Sequence, residues 1–353
     1  MEISVLLKAL FGDREFSIMD QSILDYYKKY AENLIVMLNT SKFTEDKWIN
    51  KFQFEFRYLP FYKINGESDN YNGVDIIGIN EGVIDRSCEL AYKIVSFFPD
   101  LKNFEFIRER FLGIRSSLGV EENSYNITYY VPCKDGDKII AEFMAMFAIK
   151  FVILHEIGHL YNGHVEYLKK KLGVEKLSGY KDENNIPDLD YRTIEMDADA
   201  FAISMLVNEI ICNSEKYKEL KKVLNDENEI YKILAYGINI VFLLMEKDYG
   251  INYNNRYLPL TDRRILALDC IITNKSIIKA SINDELIREV IYESFINVQN
   301  CFYTLENESK ENIEKFKDNI LNYDHNGIDE VNKRWQFIRN ELKNYTRLGL
   351  SMW

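Results

Sequence analysis

Residues 139–154, IIAEFMAMFAIKFVIL, are the most apolar segment of the chain and run without a break into HEIGH at 155–159. A segment apolar on every side has to be buried wherever it folds as a helix. Sixteen residues carrying Glu142 and Lys150 are too short and too charged for a simple bilayer span, so the expectation is a buried helix around which the remaining chain packs. A second run, ILAYGINIVFLLM at 233–245, is shorter and contains Asn239, and is read the same way. No membrane span is expected.

The helix ends in chemistry. His155, Glu156 and His159 form H-E-x-x-H, in a chain with only 4 histidines. Residues four apart on an α-helix differ by about 40° in direction, so both imidazoles can reach one Zn²⁺ with Glu156 beside them. The plainer alternative is a pair of hydrogen-bonded core or surface histidines. It accounts poorly for metal spacing beside a carboxylate on an otherwise apolar helix.

A catalytic zinc takes a third protein ligand and keeps one position open. His164 is nearby, but on a continuing helix it lies about 140° from His159 and faces away; it reads as a helix-end residue near the site. Glu195 is the better candidate. In EMDADAFA, residues 195–202, Glu195 and Asp199 are four apart on an expected helix, and Ala198 and Ala202 beside them permit close approach to the zinc helix. Asp199 can then accept the free ring N–H of a zinc histidine and fix its tautomer. Standing alone, such an acidic pair would be a solvated helix face.

Composition narrows the function classes. A chain of 353 residues, 47% hydrophobic and 14% aromatic, buries a large core. Its net charge of −12 argues against nucleic-acid binding, which needs clustered Lys and Arg to neutralise phosphates. The 5 cysteines are scattered and never form C-x-x-C, so neither a disulfide framework nor a thiolate zinc site is expected. The opening MEISVLLKALFGDREF has Glu2 ahead of its apolar residues and no basic region, unlike a signal peptide. A cytoplasmic protein is the expectation, and nothing in the sequence fixes its oligomeric state.

Helical spacing in QSILDYYKKYAENLIVMLN makes the first 60 or so residues read as helical. The turn-rich INGESDNYNG follows, then VDIIGIN as a strand, DRSCELAYKIVSFF as a helix and SYNITYYVP as a half-buried strand. The strand from Tyr125 to Val131 could add an extended peptide to its edge, though an ordinary sheet strand is the simpler expectation. Asp137 is placed to cap the zinc helix. LGVEKLSGYKDENNIPDLD, residues 172–190, reads as a polar connection bordering a cleft, and the chain beyond it is mostly helical. The expected fold is therefore α+β and predominantly helical. Its expected divisions are an N-terminal mostly helical region at 1–70, a catalytic core with a small sheet and an active-site helix at 71–270, and a C-terminal helical region at 271–353.

HEIGHLYNGH followed by EMDADAFA resembles the gluzincin metallopeptidases, which pair H-E-x-x-H with E-x-x-A-D. The likeness is to the CAAX-prenyl-protease-like enzymes, the phage-exclusion peptidases and the repressor-cleaving peptidases of mobile elements. It implies a zincin-like core, Zn²⁺ held by His155, His159 and Glu195, Glu156 as catalytic base and Asp199 behind the ligands. IIGINEGVIDRSCELAY and YLPLTDRRIL are similar to flanking segments of such enzymes. There Pro259 and Arg264 match, while Leu258 replaces a histidine. On this footing zinc would polarise a peptide carbonyl while Glu156 moves the proton from water to the leaving amine. Tyr257, Arg264 and His325, the one histidine outside the cluster, are candidate donors to the developing oxyanion. The expected activity is endopeptidase cleavage of an intracellular protein. Two other readings remain: a zinc-holding regulatory protein without turnover, and a metal-dependent hydrolase of a non-peptide substrate.

Overall fold

The computed structural model describes residues 21–40, 53–96, 103–116, 119–132, 134–173, 187–226, 229–249, 257–278, 284–306 and 326–348. In chain order these form α1 (Gln21–Thr40), β1 (Gln53–Leu59), β2 (Gly66–Tyr71), β3 (Val74–Asn80), α2 (Glu81–Ser96), β4 (Asn103–Ser116) and β5 (Gly119–Pro132). There follow α3 (Asp135–Tyr161), α4 (His164–Leu172), α5 (Asp188–Cys212), a short 3₁₀ turn (Ser214–Tyr217) and α6 (Lys218–Val223). The chain ends in α7 (Glu229–Tyr249), α8 (Leu260–Ile278), α9 (Asp284–Leu305) and α10 (Asn326–Leu342). The fold is α+β and predominantly helical, as the pattern of elements implies.

The apolar segment becomes the centre of the molecule. From Ala141 to Leu154 every residue of α3 is buried, with α2, α5 and α7 and the edge strand β2 packed around it. Its two charges are absorbed in different ways. Lys150 pairs with Glu209 of α5 at 2.7 Å and lies over the Tyr30 ring at 4.5 Å. Burial drives the Glu142 carboxyl well above the usual range, against the weaker pull of Lys138. Asp137 does not cap the helix: α3 already begins at Asp135, with Lys134 in the capping position and no side-chain cap.

Two sheets flank this bundle. One has the order β1-β3-β2, with β1 parallel and β2 antiparallel to β3; the other is the long antiparallel hairpin β4-β5. β1 and most of β2 occupy sequence expected to be helix or turn. β2, GESDNY, has no apolar alternation, and its buried side chains are Asp69 and Asn70. They are satisfied by Lys169 at 3.1 Å and by Asp75 at 2.6 Å. Ile127, Tyr129 and Val131 of β5 are buried, as their alternation predicts, and pack toward α2. One buried cluster runs from Tyr27 on α1 to Phe302 on α9, so residues on both sides of positions 70 and 270 share a core. Among the described residues no helix is long and apolar enough to cross a membrane.

Candidate active site

The last two turns of α3 carry His155, Glu156 and His159 to the floor of a cleft of about 360 Å³. α5 crosses behind them, and its small Ala198 and Ala202 are fully buried in the helix-packing interface. That approach brings Glu195 between the two imidazoles. His155 Nε2 and His159 Nε2 are 3.0 Å apart, Glu195 Oε2 is 3.2 Å from His155 Nε2, and Glu195 Oε1 is 3.5 Å from His159 Nε2.

These separations test whether the three residues fit one metal ion. A tetrahedral centre with ligand bonds of about 2.0–2.1 Å has donor–donor edges of about 3.3 Å, and the three observed distances bracket that value. Glu195 Oε2 is buried and accepts no hydrogen bond of good geometry despite its approach to His155. Two imidazole nitrogens and an orphaned carboxylate oxygen, all within 4.8 Å of one another, form a donor set suited to a divalent cation.

Asp199, one turn after Glu195, accepts from His155 Nδ1 at 2.9 Å and receives both Nε and Nη2 of Arg263 at 2.8 Å. Burial opposes charge on Asp199, but the Arg263 guanidinium and then His155 outweigh it and hold the carboxyl below its usual range. Burial likewise opposes charge on His155, and the contacts with Asp199 and Glu195 reverse the balance, raising it to about 10. His159 is pushed the other way, down, by burial and by the two neighbouring histidines. Glu156 is raised to about 7, by burial first and then by Glu195, while His155 and a hydrogen bond from Ser68 pull it back.

β2 supplies the opposite wall. Gly66 lies so close to Glu156 that a Cβ there would stand 2.6 Å from both Cγ and Oε1. Glycine is what allows the strand backbone to reach the carboxylate. Gly66, Glu67, Ser68 and Asp69 line the cleft with Phe151, Val152, Val241 and Met245, so one side is polar backbone and the other apolar. β5 is not among the lining residues; β2, and not the strand at Tyr125, borders the site.

The structure places two of the three candidate oxyanion donors, and apart from each other. Tyr257 lines the cleft, with Arg263 over its ring at 5.6 Å. Arg264 points elsewhere: it donates to Asn239 of α7 at 2.7 Å and is 3.9 Å from Glu246, inside the core. One residue along α8 is a rotation of about 100°, so Arg263 faces the cluster and Arg264 turns from it. His325 lies outside the described residues.

His164 is a helix-end residue beside the site, the first of α4, but it does not point as a continuing helix would make it. α3 stops at Tyr161, and Gly163 takes the left-handed conformation with φ of 82°, in a turn so tight that a Cβ would meet the Thr346 nitrogen at 2.7 Å. Because the helix does not continue, the rotation rule does not carry across this break. His164 turns back, its Nδ1 3.0 Å from His159 Nδ1 and its Nε2 3.1 Å from Asp197 Oδ2. Sequence reasoning passed over Gly66, Asp197 and Arg263. The N-G pair at 162–163 was the available signal for the first turn of α4, and no local signal marked Gly66.

The Peptidase U49 family matches residues 107–269, somewhat less than half of the chain, and the match supports a peptidase. It spans both helices that carry the His155, His159 and Glu195 cluster and reaches past Arg263, while β1, β2 and β3 lie before it. No curated protein and no solved structure matches the chain.

Proposed function

We propose that the protein is a soluble zinc-dependent endopeptidase, of gluzincin type, that hydrolyses peptide bonds of an intracellular protein. The observation that carries this is the convergence of His155, His159 and Glu195 on one point of the cleft, with Glu156 beside them. Bound Zn²⁺ would supply Lewis acidity toward a peptide carbonyl and lower the pKa of water at its open position.

The chain's own groups do the rest. Glu156, beside the donor cluster and lifted by burial above the usual carboxylate range, can take a proton from the attacking water and release it to the leaving amine. With Asp199 2.9 Å from His155 Nδ1 and accepting there, Nε2 would present its lone pair to a bound metal once its own proton has been displaced. Tyr257 is the nominated donor best situated for the developing oxyanion. β2 is an edge strand pairing with β3, and Gly66 to Asp69 lie along the cleft. An extended peptide adding to that edge would pass over the metal site, with side chains toward Phe151, Val152 and Met245. Lys169 already donates to the Asn70 carbonyl, so the open part of the edge stops short of that residue.

The test joins metal analysis to cleavage mapping across a cell extract, comparing wild type with Glu156→Gln and Tyr257→Phe. Wild type should hold one zinc per chain. Glu156→Gln should keep it while losing about 10²–10⁴-fold in cleavage rate, and Tyr257→Phe should lower kcat by about 10²-fold. Zinc bound with identical cleavage patterns in wild type and Glu156→Gln would favour a metal-holding protein without turnover. Absence of stoichiometric zinc would sink the site.

A further inference from the structure

We infer that His164 and Asp197 form a relay that fixes the tautomer of His159 and so sets the affinity of the metal site; this rests on the zinc reading above. The two metal histidines are backed differently. His155 meets a carboxylate directly at Asp199, whereas the ring nitrogen of His159 turned from the cluster meets another imidazole, His164 Nδ1, at 3.0 Å. Among the described residues no carboxylate is hydrogen-bonded to that nitrogen.

Two Nδ1 atoms at that distance share a single proton. With His159 Nε2 turned to the cluster, its neutral ring carries hydrogen on Nδ1 and donates to His164. His164 must then present an Nδ1 lone pair, which places its own hydrogen on Nε2. That atom faces Asp197 Oδ2 at 3.1 Å, an acceptor, and Asn162 Nδ2 steadies the same oxygen at 2.5 Å. Each link therefore dictates the next. Asp197 sets the tautomer of His164, and His164 sets that of His159. The His164 side chain is fully buried, so water cannot stand in for either partner. The Asn162–Gly163 break that begins α4 is what turns His164 back toward the helix it has just left.

His164 and Asp197 are positioning residues in this account, since neither touches the cluster of donor atoms. Substitution at His164 distinguishes the relay from general core packing, because asparagine sets its amide near the place of Nδ1 and glutamine near that of Nε2. Zinc affinity is read by competition with a chromophoric chelator, beside thermal unfolding of the metal-free proteins. His164→Gln should weaken zinc binding by about 10–100-fold, in line with losses seen when partners of metal histidines are removed. His164→Asn, which keeps an acceptor for His159, should stay within a few-fold of wild type. Asp197→Ala should fall with the glutamine variant, and it carries the test if His164→Gln does not fold.

Equal affinities for the asparagine and glutamine variants, or the reverse order, would overturn the relay, as would wild-type affinity in Asp197→Ala. Those outcomes leave the peptidase proposal standing if wild type binds zinc and cleaves. A wild type that binds no zinc removes both.

Discussion

Asp199 faces two ways at once, accepting from His155 and pairing with both nitrogens of the Arg263 fork. A bidentate guanidinium fixes the orientation of a carboxylate as well as its charge, so Arg263 orients Asp199 and, through it, the His155 ring. Removing it strands a buried carboxylate. Arg263→Met is expected to destabilise the fold by about 3–5 kcal/mol and to lower zinc affinity by about 10–100-fold. Arg264→Met should leave zinc affinity unchanged, because Arg264 is held by Asn239 and its charge is disfavoured by burial, to about 10, away from the site. Chemical denaturation and chelator competition on both variants check this; equal effects on affinity would show that Arg263 has no influence on the donor cluster through Asp199. The neighbouring arginines also mark how far single residues are legible in sequence. His155 with His159, and Glu195 with Asp199, could each be paired because spacing within a helix fixes the relative direction of its own residues. Which of two adjacent arginines faces another helix depends on how α8 is rotated in the packing, and no local pattern carries that.

β2 against α3 is the contact between elements on which the cleft depends. It is possible because Gly66 has no side chain where the Glu156 carboxylate sits. Gly66→Ala is expected to fold, since the atoms its Cβ meets all belong to the Glu156 side chain and none to backbone. Glu156 must move, however, and if it acts as the proposed general base a displacement of about 1 Å would cost about 10²-fold in rate. The expected outcome is a folded protein with near-wild-type zinc content and cleavage reduced by about that factor; full activity would mean Glu156 does not work from the position seen. The sequence conceals this element for a physical reason. A strand announces itself by alternating apolar residues, and β2 buries Asp69 and Asn70 against polar partners from α4 and β3. α3 is the opposite case, since unbroken apolarity leaves it no place but the centre. Helical phase is lost in turn at Asn162–Gly163, where α3 stops, so the direction of His164 could not be read from a continuing helix.

Across the whole molecule, stability depends on how a core built round an apolar helix tolerates that helix's two charges, and pH separates them. Glu209 joins α5 to Lys150 of α3, to Lys216 and to Tyr30 of α1 at 3.1 Å. Burial would raise its pKa, but the two lysines lower it from 4.5 to about 2. A depressed folded-state pKa gives stability that is complete above the unfolded value and is lost as pH falls from 4.5 toward 2, up to about 3 kcal/mol. Glu142 has the opposite sign. Its folded-state pKa is raised well above 4.5, so above that pH the unfolded chain gives up the proton while the folded one keeps it, and stability falls as pH rises. Glu142→Gln removes the second slope and keeps the shape of the side chain. Urea denaturation of wild type and Glu142→Gln between pH 4 and 8 should show the variant's advantage absent near pH 4 and growing steadily above 4.5. A difference that stays constant across the range would mean Glu142 is ionised in the folded protein, and that something other than Lys138 balances it at the heart of the core.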